Sequence, residues 1–189
     1  YYVDNLLFLG KGELNKAIKN DVKNNQKFTY FPWSVDNDFW RLEQKPLLKN
    51  KDQIIFVGND GNRDEKLLVE LAKKLPEYKF IFVTNISNLV NLKMDNVEII
   101  QGQWGESYLT DTELKQIYSS ARLSIIPLKK SSQPSGQSVA LQSMSLGIPV
   151  IISDTEGFWD RESFIDKKHI IMVDSNNYEE WIDHIKDAY

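Results

Sequence analysis

The chain contains no cysteine, which excludes disulfides, thiolate nucleophiles and cysteine-ligated metals. It has only two histidines, His169 in an expected strand and His184 in an expected last helix. They lack metal-ligand spacing to one another, and ordinary structural roles are the simpler reading of both. No apolar run is long enough to span a bilayer, and no secretory signal is visible. The sequence holds no G-x-G-x-x-G, no P-loop and no G-x-S-x-G signature. Positive charge is not in excess. With 23 Lys and Arg against 27 Asp and Glu, the net charge of −4 gives no electrostatic reason to expect nucleic acid or an anionic membrane as a partner. Methionine is also absent from the start. The chain opens on Tyr1-Tyr2 and its first methionine is Met94, so it is expected to be a fragment or a processed product, with room for part of the function in whatever precedes Tyr1.

What is present is an ordinary globular composition, 41% hydrophobic and 26% charged over 189 residues, enough for one sizeable core plus an appendage. Residues 1–50 differ from the rest. They carry an apolar start (Leu6-Leu7-Phe8-Leu9), a Lys/Asn-rich helix expected near 13–24, and an aromatic strand-like run from Phe28 to Trp33. A polar stretch, 45–52, reads as a linker.

From Gln53 the pattern becomes regular. Ile54-Ile55-Phe56-Val57 is a short apolar run closed by Gly58, as a buried parallel strand would be. Asn62 and Glu65 are spaced as an N-cap and its reciprocal partner. Leu67, Leu68, Leu71 and Leu75 then recur at helical spacing until Pro76 stops the helix. Strands are expected at 80–83, 97–100, 123–126, 150–152 and 170–173. Between them lie a connection with Ile86, Leu89 and Val90, a helix opened by Thr110 and Glu113, and a helix over 138–146. Asn176 with Glu179 is expected to cap a final helix bearing Trp181, Ile182 and Ile185. Such alternation predicts an α/β fold, a Rossmann-like doubly wound parallel sheet, because parallel neighbours need crossover connections. Ligands then bind beyond the carboxyl ends of the strands, at loops 58–63, 84–87, 101–108, 127–137 and 153–160.

Those loops hold few residues able to do chemistry. Arg63 falls in the expected first turn of the first regular helix. A guanidinium there either forks onto phosphate oxygens, helped by the helix start, or is a solvated surface group. Lys66 is one turn further on, on the same face. Gly136, Gln137 and Ser138 open the helix over 138–146, and their N–H groups either hold an anion or are capped by Ser135 or Ser138. Gln142, one turn inside, is either a ribose or sugar ligand or a half-exposed helical residue. Trp104 either covers a nucleobase or packs. Asp154 and Glu156 show no general-acid pairing with a histidine.

Four segments in the right order resemble the C-terminal half of a GT-B glycosyltransferase of family 4, the group 1 type. Phe28-Thr29-Tyr30-Phe31-Pro32-Trp33-Ser34-Val35-Asp36-Asn37-Asp38-Phe39 is similar to the interdomain segment I-x-V-I-P-N-G-V-D-x-x-x-F. Ile55-Phe56-Val57-Gly58 resembles the strand that opens the second domain. Glu113 to Ala121 resembles the L-x-x-x-Y-x-x-A helix, and Ser135 to Val150 the donor loop and helix ending in A-M-A-x-G-x-P-V. The chain departs from the family at its E-x-x-x-x-x-x-x-E signature. Gln142 replaces the second, ribose-binding Glu, and Pro134 takes the place of the first. Asn59 replaces the usual Arg after the strand glycine, with Arg63 in Gly61-Asn62-Arg63-Asp64 as its substitute.

The resemblance implies a tail of the N-terminal domain and interdomain segment over 1–45 and a nucleotide-sugar-binding domain over 46–189. It implies a retaining, hexosyl-type transferase whose donor is a nucleotide-diphosphate sugar and whose leaving charge is stabilised without a metal or other cofactor. Its donor-binding set is Gly58, Asn59, Arg63, Lys66, Thr84, Asn85, Trp104, Ser135, Gly136, Gln137, Ser138 and Gln142, with no catalytic residue assigned. The acceptor, a glycan or lipid-linked, is expected to bind mainly through the N-terminal domain, in a cytoplasmic setting that extends to the inner face of the membrane, for polysaccharide synthesis. Rival readings are a non-catalytic nucleotide- or sugar-binding module, a nucleotide-sugar epimerase of similar fold, and a flavodoxin- or receiver-like domain.

Overall fold

A computed structural model describes residues 3–42, 52–102, 109–174 and 177–189. The linker stretch 45–51, Trp104 and Asn176 lie outside the described residues. The core is a six-stranded parallel sheet of β3 (Gln53–Val57), β4 (Lys79–Val83), β5 (Val97–Ile100), β6 (Ala121–Ile126), β7 (Val150–Ser153) and β8 (Ile171–Val173). The spatial order is β5-β4-β3-β6-β7-β8, so the chain starts in the middle, winds to one edge, then returns and winds to the other. This is the doubly wound arrangement predicted from the alternation, and its switch point lies between β3 and β6.

The central strands are mostly apolar because both faces are covered. Ile54, Phe56, Phe80, Phe82, Leu123, Ile125 and Ile151 point to one side, where α2 (Glu65–Lys74), α3 (Ser87–Val90) and α6 (Tyr178–Ala188) bury Leu67, Leu68, Leu71, Leu89, Trp181 and Ile185. The alternate residues Ile55, Ile81, Val83, Ile126, Val150 and Ile152 face α4 (Asp111–Ser120) and α5 (Gln137–Ser145), which contribute Tyr118, Val139 and Ala140. The expected capping box at Thr110 and Glu113 forms in full. Two other features differ from the sequence pattern. α6 is capped by Asn177, whose side chain accepts from the Glu179 N–H. His169 precedes β8 instead of lying within it, and its Nδ1 accepts from the Ile165 N–H at 3.1 Å.

The N-terminal part forms β1 (Leu6–Phe8), α1 (Lys11–Asn20) and β2 (Phe28–Tyr30), with β1 and β2 paired in parallel. α1 ends at Asn20, four residues before the expected stop, where the Asp21 N–H takes the Ala17 carbonyl. This unit docks on the loops after β6 and β7. The Lys11 N–H donates to the Trp159 carbonyl at 3.0 Å, and Lys11 Nζ bridges Asp160 and Glu162, both at 2.7 Å. A Cβ on Gly12 would overlap the Glu156 carbonyl, so the approach is close enough to require glycine. Downstream, Asp36 accepts from the Asp38 and Phe39 N–H groups, turning the chain so that Trp40 lies edge-on to Tyr118 at 6.0 Å. Trp40 is 6% exposed and belongs to the core of the six-stranded sheet.

Candidate functional site: an anion cleft at the sheet switch point

The loop after β3 is shaped by pairing with the loop after β6. Arg63 and Leu128 form an antiparallel bridge, flanked by Asp64 N–H to the Pro127 carbonyl at 3.0 Å and Lys129 N–H to the Asn62 carbonyl at 2.7 Å. That pairing uses the Asn62 backbone, and the helix cap passes to Asp64, whose carboxylate accepts from the Leu67 N–H at 3.1 Å. Arg63 therefore lies before α2 and not in its first turn. It is also not an exposed helix-start residue, being 4% exposed.

The Arg63 guanidinium is tucked between two glycines. A Cβ on Gly58 would come within 2.9 Å of Cζ, and one on Gly136 within 3.2 Å of Nη1. Nη2 pairs with Asp60 Oδ2 at 3.2 Å, while Nε and Nη1 are buried and have no partner among the described residues. Burial lowers the Arg63 pKa, opposed by the nearby Asp60 carboxylate. A buried cation short of acceptors is energetically unfavourable unless another acceptor reaches it.

Gly136 is the N-cap of α5, with φ of +81°, and no side chain among the described residues makes a capping hydrogen bond to that helix. Of the two serines expected to do so, Ser135 instead donates to both Asp60 oxygens at 3.2 Å. Asp60, Arg63 and residues 133–139 line a cleft of about 230 Å³ above this helix start. The structure thus brings together Arg63, Ser135, Gly136, Gln137 and Ser138.

A second cleft of about 300 Å³ shares Asp60 and Arg63 and extends over Asn59, Asn85, Ser87 and Lys129. Lys129 Nζ sits 2.8 Å from Glu65 Oε2, and that hydrogen bond holds Glu65 below the ordinary carboxylate range. Lys66 is exposed and lines neither cleft. Asp60 and Lys129 were not singled out from sequence. Asp60 sits in an Asp-Gly-Asn turn directly after a strand, and Lys129 belongs to a lysine pair after another, so their positions were visible but not their convergence.

Three expected site residues are braces. Asn59 Nδ2 donates to the Gly102 carbonyl at 2.6 Å and its Oδ1 accepts from the Asn85 N–H at 2.6 Å, linking the loops after β3, β4 and β5. Thr84 is fully buried, its hydroxyl donating to the Gly58 carbonyl at 2.7 Å and accepting from the Ile86 N–H at 3.1 Å. Gln142 lines neither cleft. Its Oε1 accepts from the Tyr118 hydroxyl at 3.4 Å, and burial pushes that hydroxyl well above the phenol range. Among the described residues no cluster of three or more His, Asp or Glu side chains is placed to hold a metal, and no helix is long and apolar enough to cross a membrane.

The sequence finds no match among curated proteins. Solved structures share the fold. A glycosyltransferase from Rickettsia africae superposes with a TM-score of 0.74 at 15% identity, over 98% of this chain and 53% of its own. Anabaena Alr3699/HepE in complex with UDP gives 0.75 at 10% identity, over 98% and 54%. The catalytic domain of starch synthase IV from Arabidopsis thaliana, bound to ADP and acarbose, gives 0.68 at 12% identity, over 99% and 48%. The chain spans about half the length of each. A family model described as glycosyl transferases group 1 matches residues 31–189, and with the fold in agreement the chain belongs to that family.

Proposed function

We propose that this chain is the donor-binding half of a retaining glycosyltransferase that uses a nucleoside-diphosphate sugar. One observation carries the reading. A buried guanidinium, two of whose nitrogens have no partner among the described residues, lies beneath a helix start that none of their side chains caps, at the switch point of a doubly wound sheet. Helix N–H groups and a cation stabilise phosphate charge in the ground state, and more strongly as charge develops on a leaving diphosphate. In this reading Arg63 and the N–H groups of Gln137 and Ser138 hold the diphosphate, with no metal assigned. Lys129 supplies the second cation, the role sequence gave to Lys66. The nucleoside occupies the neighbouring cleft beside Asn85 and Ser87, where the Asn59 brace fixes the wall. Gln142 reaches a ribose by turning its amide away from Tyr118. The whole protein would pass a hexose to a glycan or lipid-linked acceptor at the cytoplasmic membrane face during polysaccharide synthesis.

A second reading, a binding module without transfer activity, is favoured by the amide at Gln142 and its engagement with Tyr118. Sugar transfer by the full-length protein excludes it.

Calorimetric titration with UDP and ADP tests the main reading. Wild type binds one of them, and Arg63→Met weakens that binding by about 1.5–3 kcal/mol, the range for a charge-assisted hydrogen bond. The same variant keeps its melting temperature, because it replaces an incompletely paired buried cation by an apolar chain of similar length. Unchanged affinity in Arg63→Met refutes the assignment.

A further inference from the structure

Asp60 stands where the two clefts meet, and its surroundings are those of a bound anion. Its carboxylate accepts from the Asn62 N–H at 2.9 Å, from Ser135 Oγ at 3.2 Å and from Arg63 Nη2 at 3.2 Å. A backbone N–H, a hydroxyl and a guanidinium converging on one oxyanion is the donor set a phosphate group takes. The seat adjoins the α5 start, whose positive end has no side-chain acceptor. Asp60 itself is 45% exposed, so these partners and not a surrounding wall keep it in place. Arg63, 4% exposed, has no second carboxylate paired with it among the described residues, and two of its nitrogens have no partner among them.

We infer that Asp60 is an internal anion that fills the phosphate seat of the cleft and is displaced by the incoming diphosphate. This rests on the donor-site reading above and adds a selectivity device to it. A ligand must outbid a resident carboxylate for Arg63, Ser135 and the Asn62 N–H. A diphosphate with two or more charges does so, spanning the seat and the helix start together. A monophosphate, offering one phosphoryl group, gains far less over the carboxylate it expels. Asp60 thereby favours the intact donor and its diphosphate product over nucleoside monophosphates. Without a ligand it supplies the counter-charge that the buried guanidinium needs.

The test uses the whole chain with inorganic pyrophosphate in thermal melting, and UDP and UMP in calorimetry. Asp60→Asn melts below wild type in buffer, and pyrophosphate raises its melting temperature more than it raises that of wild type. The variant binds UDP about ten-fold more tightly, about 1.4 kcal/mol. UMP gains more than UDP, so the ratio of the two affinities narrows. Equal pyrophosphate shifts in the two proteins, or UDP binding that is unchanged or weaker in the variant, overturn the inference. A larger pyrophosphate shift in the variant, with no nucleotide bound by either protein, upholds the internal anion and removes the nucleoside-diphosphate reading instead. If Asp60→Asn does not fold in either buffer, Asp60→Glu takes its place, since it keeps the charge and every donor but its longer arm misfits the seat. A pyrophosphate shift larger than wild type then supports the inference, and an equal or smaller one overturns it.

Discussion

Replacing Gly136 by alanine separates two forces that meet at the start of α5. The backbone there has φ of +81°, a conformation that costs an L-residue about 1–2 kcal/mol. The added Cβ would also lie 2.8 Å from Ile126 Cγ2, 3.2 Å from Arg63 Nη1 and 3.5 Å from Ile152 Cδ1. Ile126 and Ile152 are interior strand residues with no room to retreat, so overpacking adds about 1–3 kcal/mol. The sum is about 2–5 kcal/mol, or roughly 4–20 °C in the melting midpoint of a chain this size. Gly147 provides the control. It has φ of +67°, closes α5 at its other end, and has nothing within 4 Å of a built Cβ. Gly147→Ala therefore carries the backbone strain alone, about 1–2 kcal/mol. Urea unfolding of both variants reads the difference directly. If Gly136→Ala destabilises no more than Gly147→Ala, the close fit of the helix start over Ile126 and Arg63 is wrong, and the anion cleft built on it falls.

Two further outcomes follow from hydrogen bonds at the same end of the sheet. Asn59→Ala removes both links between the loops after β3, β4 and β5, lowering stability by about 1–2 kcal/mol. Amide exchange at Asn85 should rise about ten-fold or more, and an unchanged exchange rate would show that Asn59 is not the brace. Burial alone would raise the Asp160 carboxyl, but hydrogen bonds from Lys11 and Ser163 outweigh it and hold it below the ordinary carboxylate range. Because its folded value is depressed, its contribution is present above the unfolded value of about 4 and is lost as the pH falls through the folded one. Lys11 is raised by hydrogen bonds to Asp160 and then Glu162, so its share is present below the unfolded value of about 10.4 and is lost as the pH rises through the higher folded one. The melting difference between wild type and Lys11→Met is expected from about pH 5 to 9 and should vanish in strong acid. A difference that persists at about pH 2 counts against the ion pair.

The sheet was legible because each buried strand is a short, nearly unbroken apolar run, and the helices between them carry leucines at helical spacing. The loops were legible as positions only. Asn62 and Asp64 are both competent caps, and nothing local decides between them. The decision comes from pairing with Pro127–Lys129, more than sixty residues away along the chain. The same long-range pairing turns Arg63 from a surface group into a buried one and brings Lys129 to the cleft in place of Lys66. Family pattern assigns Gln142 to the ribose; its amide oxygen here accepts from the Tyr118 hydroxyl beneath the helix, a contact between two helices that no local pattern reveals.

Trp40 settles where the molecule can bend. The turn at Asp36, the edge-on contact of Trp40 with Tyr118, and the bond from Ser145 Oγ to Asn37 at 2.7 Å fasten residues 36–42 to the six-stranded core. β2 ends at Tyr30 with β1 and α1 behind it. Any swing of that smaller unit against the larger one must pivot in the few residues between, 31–35. The far end of such a lever is the docking of α1. Opening would withdraw the Leu9 carbonyl from Gln137 Nε2, now 3.5 Å away, and lift Gly10 off Pro134, releasing the loop that forms the floor of the anion cleft. The joint lies away from the cleft, yet its angle sets how closely α1 sits on the loop at 133–137.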